Sequence, residues 1–216
     1  MAPRQVYWKI PNPVQRRHYA DRAYEIARKI KESNIDTVVV ADASGQFAAY
    51  LVKHAWRKSS PGEKMPRFYA LGTAIKELRH LREDRFVSNA KEAEGAIRKN
   101  APSLLAGIGK KKILVLDDWH RTGDTLGIAT RVLNGLGAER IVADALIHQS
   151  AAQRGYGPRN DNPGWHRLRS RDLVSARRHA GSAGYEAKRT EILGELAQWR
   201  RELREIIKRN PPRNEK

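Results

Sequence analysis

The sequence predicts an α/β fold, a mostly parallel sheet flanked by helices, with a long helix near its C-terminal end. Three observations predict it. Residues 36–41, 67–71, 113–116 and 140–147 are short, mainly apolar runs with the length and the β-branched or aromatic content of buried strands. Between them lie stretches whose apolar residues recur at steps of three and four, the helical period. Two of the runs are followed by a polar turn and then a helix, the unit that parallel sheets with right-handed crossovers repeat.

Residues 1–13 read as irregular, because Pro3, Pro11 and Pro13 interrupt any element. Tyr7, Trp8 and Ile10 are apolar enough to dock on the body. Residues 14–32 read as a helix, with Tyr19, Ala23, Ile26 and Ile30 on one face and basic residues on the rest. Ser33 and Asn34 make a turn into the first strand, 36–41. A polar loop, 42–46, leads to a helix reaching about Arg57, whose inward face is Ala48, Ala49, Val52, Ala55 and Trp56. Residues 58–64 have the composition of a surface loop. The strand at 67–71 follows, ended by Gly72 and Thr73.

Residues 74–111 make a long excursion, the kind of segment that serves as a lid or recognition loop. Ala74, Leu78 and Leu81 suggest one helix. Asn89 with Glu92 suggests an N-cap opening a second through Ala93 and Ile97, stopped by Pro102. Gly107, Gly109, Lys110 and Lys111 resemble a nucleotide-binding loop only superficially. The first glycine and final Ser/Thr are missing and a strand follows, so the segment reads as a turn with a basic entry.

The run Ile113 to Leu116 carries two acids, Asp117 and Asp118, at its carboxyl end. A polar turn and a helix over about 125–136 come next, punctuated by Gly135 and Gly137. Open α/β sheets bind ligands at the carboxyl ends of their strands. A turn feeding a helix N-terminus offers backbone N–H groups and a positive dipole end to a phosphate. Carboxylates beside it suit sugar hydroxyls or a hydrated Mg²⁺. The combination argues for a sugar phosphate. Adjacent acids do not fit a phosphatase of the Asp-x-Asp-x-Thr type.

After the strand at 140–147, residues 148–184 show no helix or strand period and are rich in turn formers and rings. Trp165 and Tyr156 suit stacking on a ring, with Asn162 reading its edge, or equally anchoring the loop on the core. His148, His166 and His179 lack metal-ligand spacing. The final helix, about 185–209, carries Ile192, Leu196, Trp199, Leu203 and Ile206 in a seam suited to the body or to a second copy in a homodimer. The organisation expected is a helical extension over 1–32, an α/β core over 33–150 and a loop plus helix over 151–216, forming one globular unit.

The chain has 216 residues, 40% of them hydrophobic, enough for one sizeable domain. It has no cysteine, which excludes disulfides, thiolate metal sites and a Cys nucleophile. No run reaches membrane-spanning length and no signal-peptide core follows Met1, so no membrane partner and a cytoplasmic location are expected. Lys and Arg number 42 against 24 Asp and Glu, a net charge of +18. A positive field recruits polyanions. This excess is more than a small substrate needs, so nucleic acid is a second expected partner beside a dispersed, solubilising charge.

Residues 113–125, Ile-Leu-Val-Leu-Asp-Asp-Trp-His-Arg-Thr-Gly-Asp-Thr, resemble the phosphoribosyl pyrophosphate (PRPP) motif of type I phosphoribosyltransferases. That motif is four apolar residues, two acids, a short variable step and Thr-Gly-Gly/Asp-Thr. The resemblance implies the Rossmann-like fold of that family with a C-terminal hood. It implies a reaction that transfers phosphoribosyl from PRPP with release of pyrophosphate and Mg²⁺ as cofactor. Asp117 and Asp118 would hold the ribose hydroxyls, with Mg²⁺ reaching the site through PRPP. Arg121, Thr122, Gly123, Asp124 and Thr125 would wrap the 5′-phosphate.

The loop Ala43, Ser44, Gly45, Gln46 would hold pyrophosphate. Unlike family loops it carries no Lys or Arg, so charge compensation falls to Lys53 or to the long insert, where Arg79, His80, Arg82 and Arg85 stand. The same residues also suit a plain turn with Ser44 as helix cap. Arg121 occupies a position where purine-salvage members often carry Asp, and Arg stays protonated, so it is no general base. Trp119 suits stacking on a ring, as Trp165 does, or filling the layer behind the strand. Two rival readings share this site: a regulator that senses PRPP or a nucleotide and binds nucleic acid, and a nucleotide or PRPP hydrolase of a stress response.

Overall fold

The computed structural model describes residues 13–41, 45–71, 94–95, 97–98, 101–120, 124–148 and 183–212. The strands are β1 (Thr37–Val40), β2 (Arg67–Ala70), β3 (Lys112–His120) and β4 (Arg140–His148). They form one sheet in the order β2-β1-β3-β4, with every neighbouring pair parallel. The helices are α1 (Pro13–Glu32), α2 (Gln46–Ser59), the short α3 (Pro102–Leu105), α4 (Asp124–Gly135) and α5 (Ala183–Arg209). The α/β class and the parallel sheet expected from the sequence are both present.

Two compact units divide the chain: Met1–Asp21 with Gly155–Lys216, and Arg22–Arg154. The sheet lies in the second. There, alternation along the strands separates two faces. Val39, Ile113, Val115 and Ala145 point into a cluster with Leu104, Ile108 and the apolar face of α4, Leu126, Ala129, Val132 and Leu133. Val38, Val40, Leu114 and Leu116 are also buried and face the other way. On that second face Asp144 meets Arg22 and Lys29 of α1, and Phe68 meets Lys53 of α2.

The predicted inward residues of α1 and α2 are buried, joined by Phe47 and Leu51. Pro13 is the first residue of α1, where a missing N–H costs nothing. Asn34 takes φ 50 and turns the chain from α1 into β1, a conformation Asn tolerates. Ile97 is buried in the same cluster as α4, as the helical spacing of the insert implies.

β3 is longer than the four-residue run at 113–116. Register gives the reason: β1 stops at Val40, opposite Leu116, whereas β4 continues to His148, opposite His120. The acids therefore lie beyond the end of β1 and still inside the β3–β4 ladder. At α2 the flanking residue is Gly45 rather than Ser44, and no side chain caps the helix there.

In the first unit, Trp199, Leu203, Ile206 and Ile207 of α5 are buried, so this part of the seam is covered within the chain. Arg16 of α1 pairs with Glu202 of α5 at 2.9 Å. Residues 1–12, the insert at 72–93 and the loop at 149–182 lie outside the described residues, and with them Arg79, His80, Arg82, Arg85, Tyr156, Asn162 and Trp165. No described helix is long and apolar enough to cross a membrane.

Candidate functional site

Strand order locates the site before any side chain is considered. From β1 the chain crosses outward to β2. From β3 it crosses outward to β4 on the other side. The order reverses between β1 and β3, and open α/β sheets bind ligands outside the carboxyl ends of strands at such a reversal. The turn after β1 leads to α2, and the turn after β3 leads to α4.

The first turn comes close to the third strand. Gly45 is buried, and a Cβ on it would lie 2.9 Å from Val40 Cγ1, 3.1 Å from the Leu116 carbonyl oxygen and 3.4 Å from Asp117 Cα. Here glycine is needed for close approach, not for an unusual φ, since φ is −60°. The start of α2 is thus held beside the first of the two acids. The first turn of α2 carries no acidic residue of its own, so the acids nearest its positive dipole end are those of β3. Gln46 opens the helix and is exposed, while Ala43 and Ser44 lie outside the described residues.

Asp117 and Asp118 are 2% and 5% exposed. Burial of ionisable side chains needs hydrogen bonds or partners. One is local: the Asp118 N–H donates to Asp117 Oδ1 at 2.9 Å. By alternation Asp117 continues the face of Val115, toward α4, and Asp118 continues that of Leu116, toward α2. Two carboxylates at a strand end, one on each face, can accept hydrogen bonds from vicinal hydroxyls or supply oxygen ligands to a hydrated cation.

Of the residues expected to wrap a 5′-phosphate, Thr125 stands half-buried in the first turn of α4 and Asp124 is its first residue. Arg121, Thr122 and Gly123 lie outside the described residues. Trp119 and His120 continue the β3 backbone, opposite Ile147 and His148. Lys53 stands seven residues beyond Gln46, about 10 Å along the helix, with its ammonium 4.5 Å from the Phe68 ring centre. It packs on β2 rather than at the start of α2.

Among the described residues no group of three or more His, Cys, Asp or Glu gathers as a metal site. One buried acid is absent from the sequence-derived candidates. Asp144 accepts from Arg22 Nη2 at 2.9 Å, Lys29 Nζ at 2.8 Å and the Ala145 N–H at 2.8 Å. Its signal lies in residues 140–147, where a lone acid inside an apolar strand requires cationic partners. Its role is to pin α1 on the sheet. Compared with protein-family models, with curated proteins and with solved structures, the chain matches none.

Proposed function

We propose that this chain is a type I phosphoribosyltransferase-like protein. It binds PRPP, or a nucleotide carrying ribose 5-phosphate, and transfers the phosphoribosyl group to a nucleophile with release of pyrophosphate. The observation that carries the reading is the approach of Gly45 to Leu116 and Asp117, which sets the start of α2 beside the first of the two acids. In this reading Asp117 and Asp118 accept hydrogen bonds from the ribose hydroxyls. The amides and threonine hydroxyls of residues 122–125 hold the 5′-phosphate, and the start of α2 faces the pyrophosphate.

The bond from ribose C1 to pyrophosphate breaks, and its electron pair leaves with the pyrophosphate. The acceptor's lone pair forms the new bond to C1. Positive charge develops on the sugar ring, so the protein acts mainly by positioning ligands and by fixed charge. Arg121 stays protonated and takes no proton. The donor set suits Mg²⁺, which binds through one or two carboxylates and otherwise takes water and substrate phosphate oxygens. When bound, it would offset pyrophosphate charge that no basic residue of 42–46 offsets.

Calorimetric titration of PRPP with Mg²⁺ tests the reading. Saturable binding by the wild type, lost in Asp117→Asn/Asp118→Asn while cooperative thermal unfolding persists, is the expected result. A wild type that does not bind PRPP overturns it.

A further inference from the structure

The opposite end of the same sheet has a chemistry of its own. Helices of parallel α/β units run back against their strands, so the ends of α1, α2 and α4 arrive where the strands begin. Hydrogen bonds draw this edge together: Asp36 N–H donates to Lys112 O at 3.2 Å and Arg67 N–H to Asp36 O at 2.9 Å. Lys112 is in register with Arg140, and a Cβ on Gly109 would lie 3.2 Å from Gly137 O, which sets the turn before β3 against the loop before β4. From β2 to β4 the edge spans three strand spacings, about 14 Å.

Along it stand Arg57, Lys58, Lys64, Lys110 and Arg140, all exposed and none with a side-chain ion pair or hydrogen bond to a described residue. Arg67 starts β2 between them. Cations at helix ends are expected from the macrodipole, which accounts for Arg57 and Lys58. It does not account for Lys64 and Arg140, which lie in a loop and at a strand start, and Lys110 ends a single 3-10 turn, Ile108–Lys110, with only three residues of aligned peptide dipoles. The acids of this edge cancel only part of that charge. Glu63 pairs with Lys31 and Glu32 lies 3.9 Å from Arg28, whereas Asp36, which accepts from the Thr37 hydroxyl and the Lys112 N–H, and the exposed Glu139 keep their charges and leave the five cations in excess. The phenol of Tyr69 sits in the same field. It is held below its ordinary pKa, first by the Ser103 hydrogen bond and then by Arg67 and Lys111.

We propose that this basic edge, at the strand starts and away from the candidate sugar-phosphate site, binds the phosphodiester backbone of nucleic acid. Separate exposed cations spread along an edge whose strands span about 14 Å suit successive phosphates rather than one small anion. A membrane surface fits less well, because the loops of this edge expose no large apolar side chain to enter the interface. The inference is independent of the PRPP reading, since the two ends of the sheet are chemically separate.

Fluorescence anisotropy with labelled duplex DNA, duplex RNA and single strands, in the absence of PRPP, tests it. If the five exposed cations each meet a phosphate on B-DNA, the log–log salt slope is about −4.5, and affinity falls about 500-fold from about 50 to 200 mM salt. Replacing Arg57, Lys58, Lys64 and Arg140 by Gln reduces the slope to about −1 and the salt effect to about 4-fold. A matched variant with Arg200, Arg201, Arg204 and Lys208 of α5 replaced by Gln removes equal charge elsewhere and keeps the wild-type slope. Which strand type binds tightest identifies the nucleic acid. The proposal is overturned if the wild type binds none of them, if both variants lose affinity equally, or if only phosphatidylserine vesicles bind.

Discussion

Replacing Gly45 with alanine puts a methyl group where the fold leaves no room. The new Cβ would lie 2.9 Å from Val40 Cγ1 and 3.1 Å from the Leu116 carbonyl oxygen. Alanine adopts the local φ of −60° and ψ of −13° freely, so the cost is steric rather than conformational. Neither neighbour yields easily. Val40 is β-branched and 2% exposed, and the Leu116 carbonyl accepts the Ala41 N–H at 2.9 Å. Overpacking of this kind costs about 1–3 kcal/mol. The reduced freedom of the unfolded chain returns about 0.4–1 kcal/mol. A net loss of about 1–2 kcal/mol lowers Tm by about 2–8 °C in a chain of this length.

Thermal unfolding followed by circular dichroism measures it. Gly127→Ala is the control, because that glycine lies inside α4 and a Cβ on it would meet nothing within 4 Å. There alanine should stabilise by about 1 kcal/mol. Under the proposed function, Gly45→Ala also weakens PRPP binding at temperatures where the variant is folded, because the start of α2 moves away from Asp117. A Gly45→Ala protein as stable as the wild type would refute the reasoning, since the close approach would then carry no constraint.

Two further outcomes follow from buried and clustered charge. Asp144→Ala leaves Arg22 with Glu25 and the Ala145 carbonyl but removes the acid between it and Lys29, at a cost of about 1–3 kcal/mol, read as a lower urea midpoint at unchanged m-value; a cost under about 0.5 kcal/mol, the size of an ordinary surface substitution, would show that α1 is held by packing alone. Tyr69 ionises below an ordinary phenol, because Ser103, Arg67 and Lys111 favour its charged form. Its folded-state pKa is depressed, so the unfolded chain binds more protons as pH climbs toward 10.0 and stability rises with pH in that window. Ultraviolet titration of wild type against Tyr69→Phe isolates this tyrosine, and Ser103→Ala should move it back up.

Much of the architecture was legible from period and composition. Residues 37–40 and 113–116 could be read as strands because β-branched and apolar side chains in unbroken runs have few other ways to be buried. The helical face of α2 followed from its spacing, down to Val52 and Trp56. Strand length was not legible at β3, because Asp117 to His120 do not look like strand residues. They are held extended by a neighbour that outlasts β1.

Two acids after an apolar run are common, and the Asp-Asp pair could be singled out because Thr122-Gly123-Asp124-Thr125 follows it at the offset of the motif. Its setting could not. Strand order puts the reversal between β1 and β3, and order depends on which crossover goes which way, a choice that local pattern does not encode. Gly45 looks in the sequence like any loop glycine, and only the 3.1 Å that would separate a Cβ there from the Leu116 carbonyl oxygen makes it indispensable. The partners of Asp144 lie more than a hundred residues away, in a helix whose basic residues all read as a solvated face. Net charge was plain from composition, but its gathering at the strand starts was not. Arg57 and Lys64, Lys110, and Arg140 come from three separate connections, and only parallel packing brings the ends of those connections to one edge.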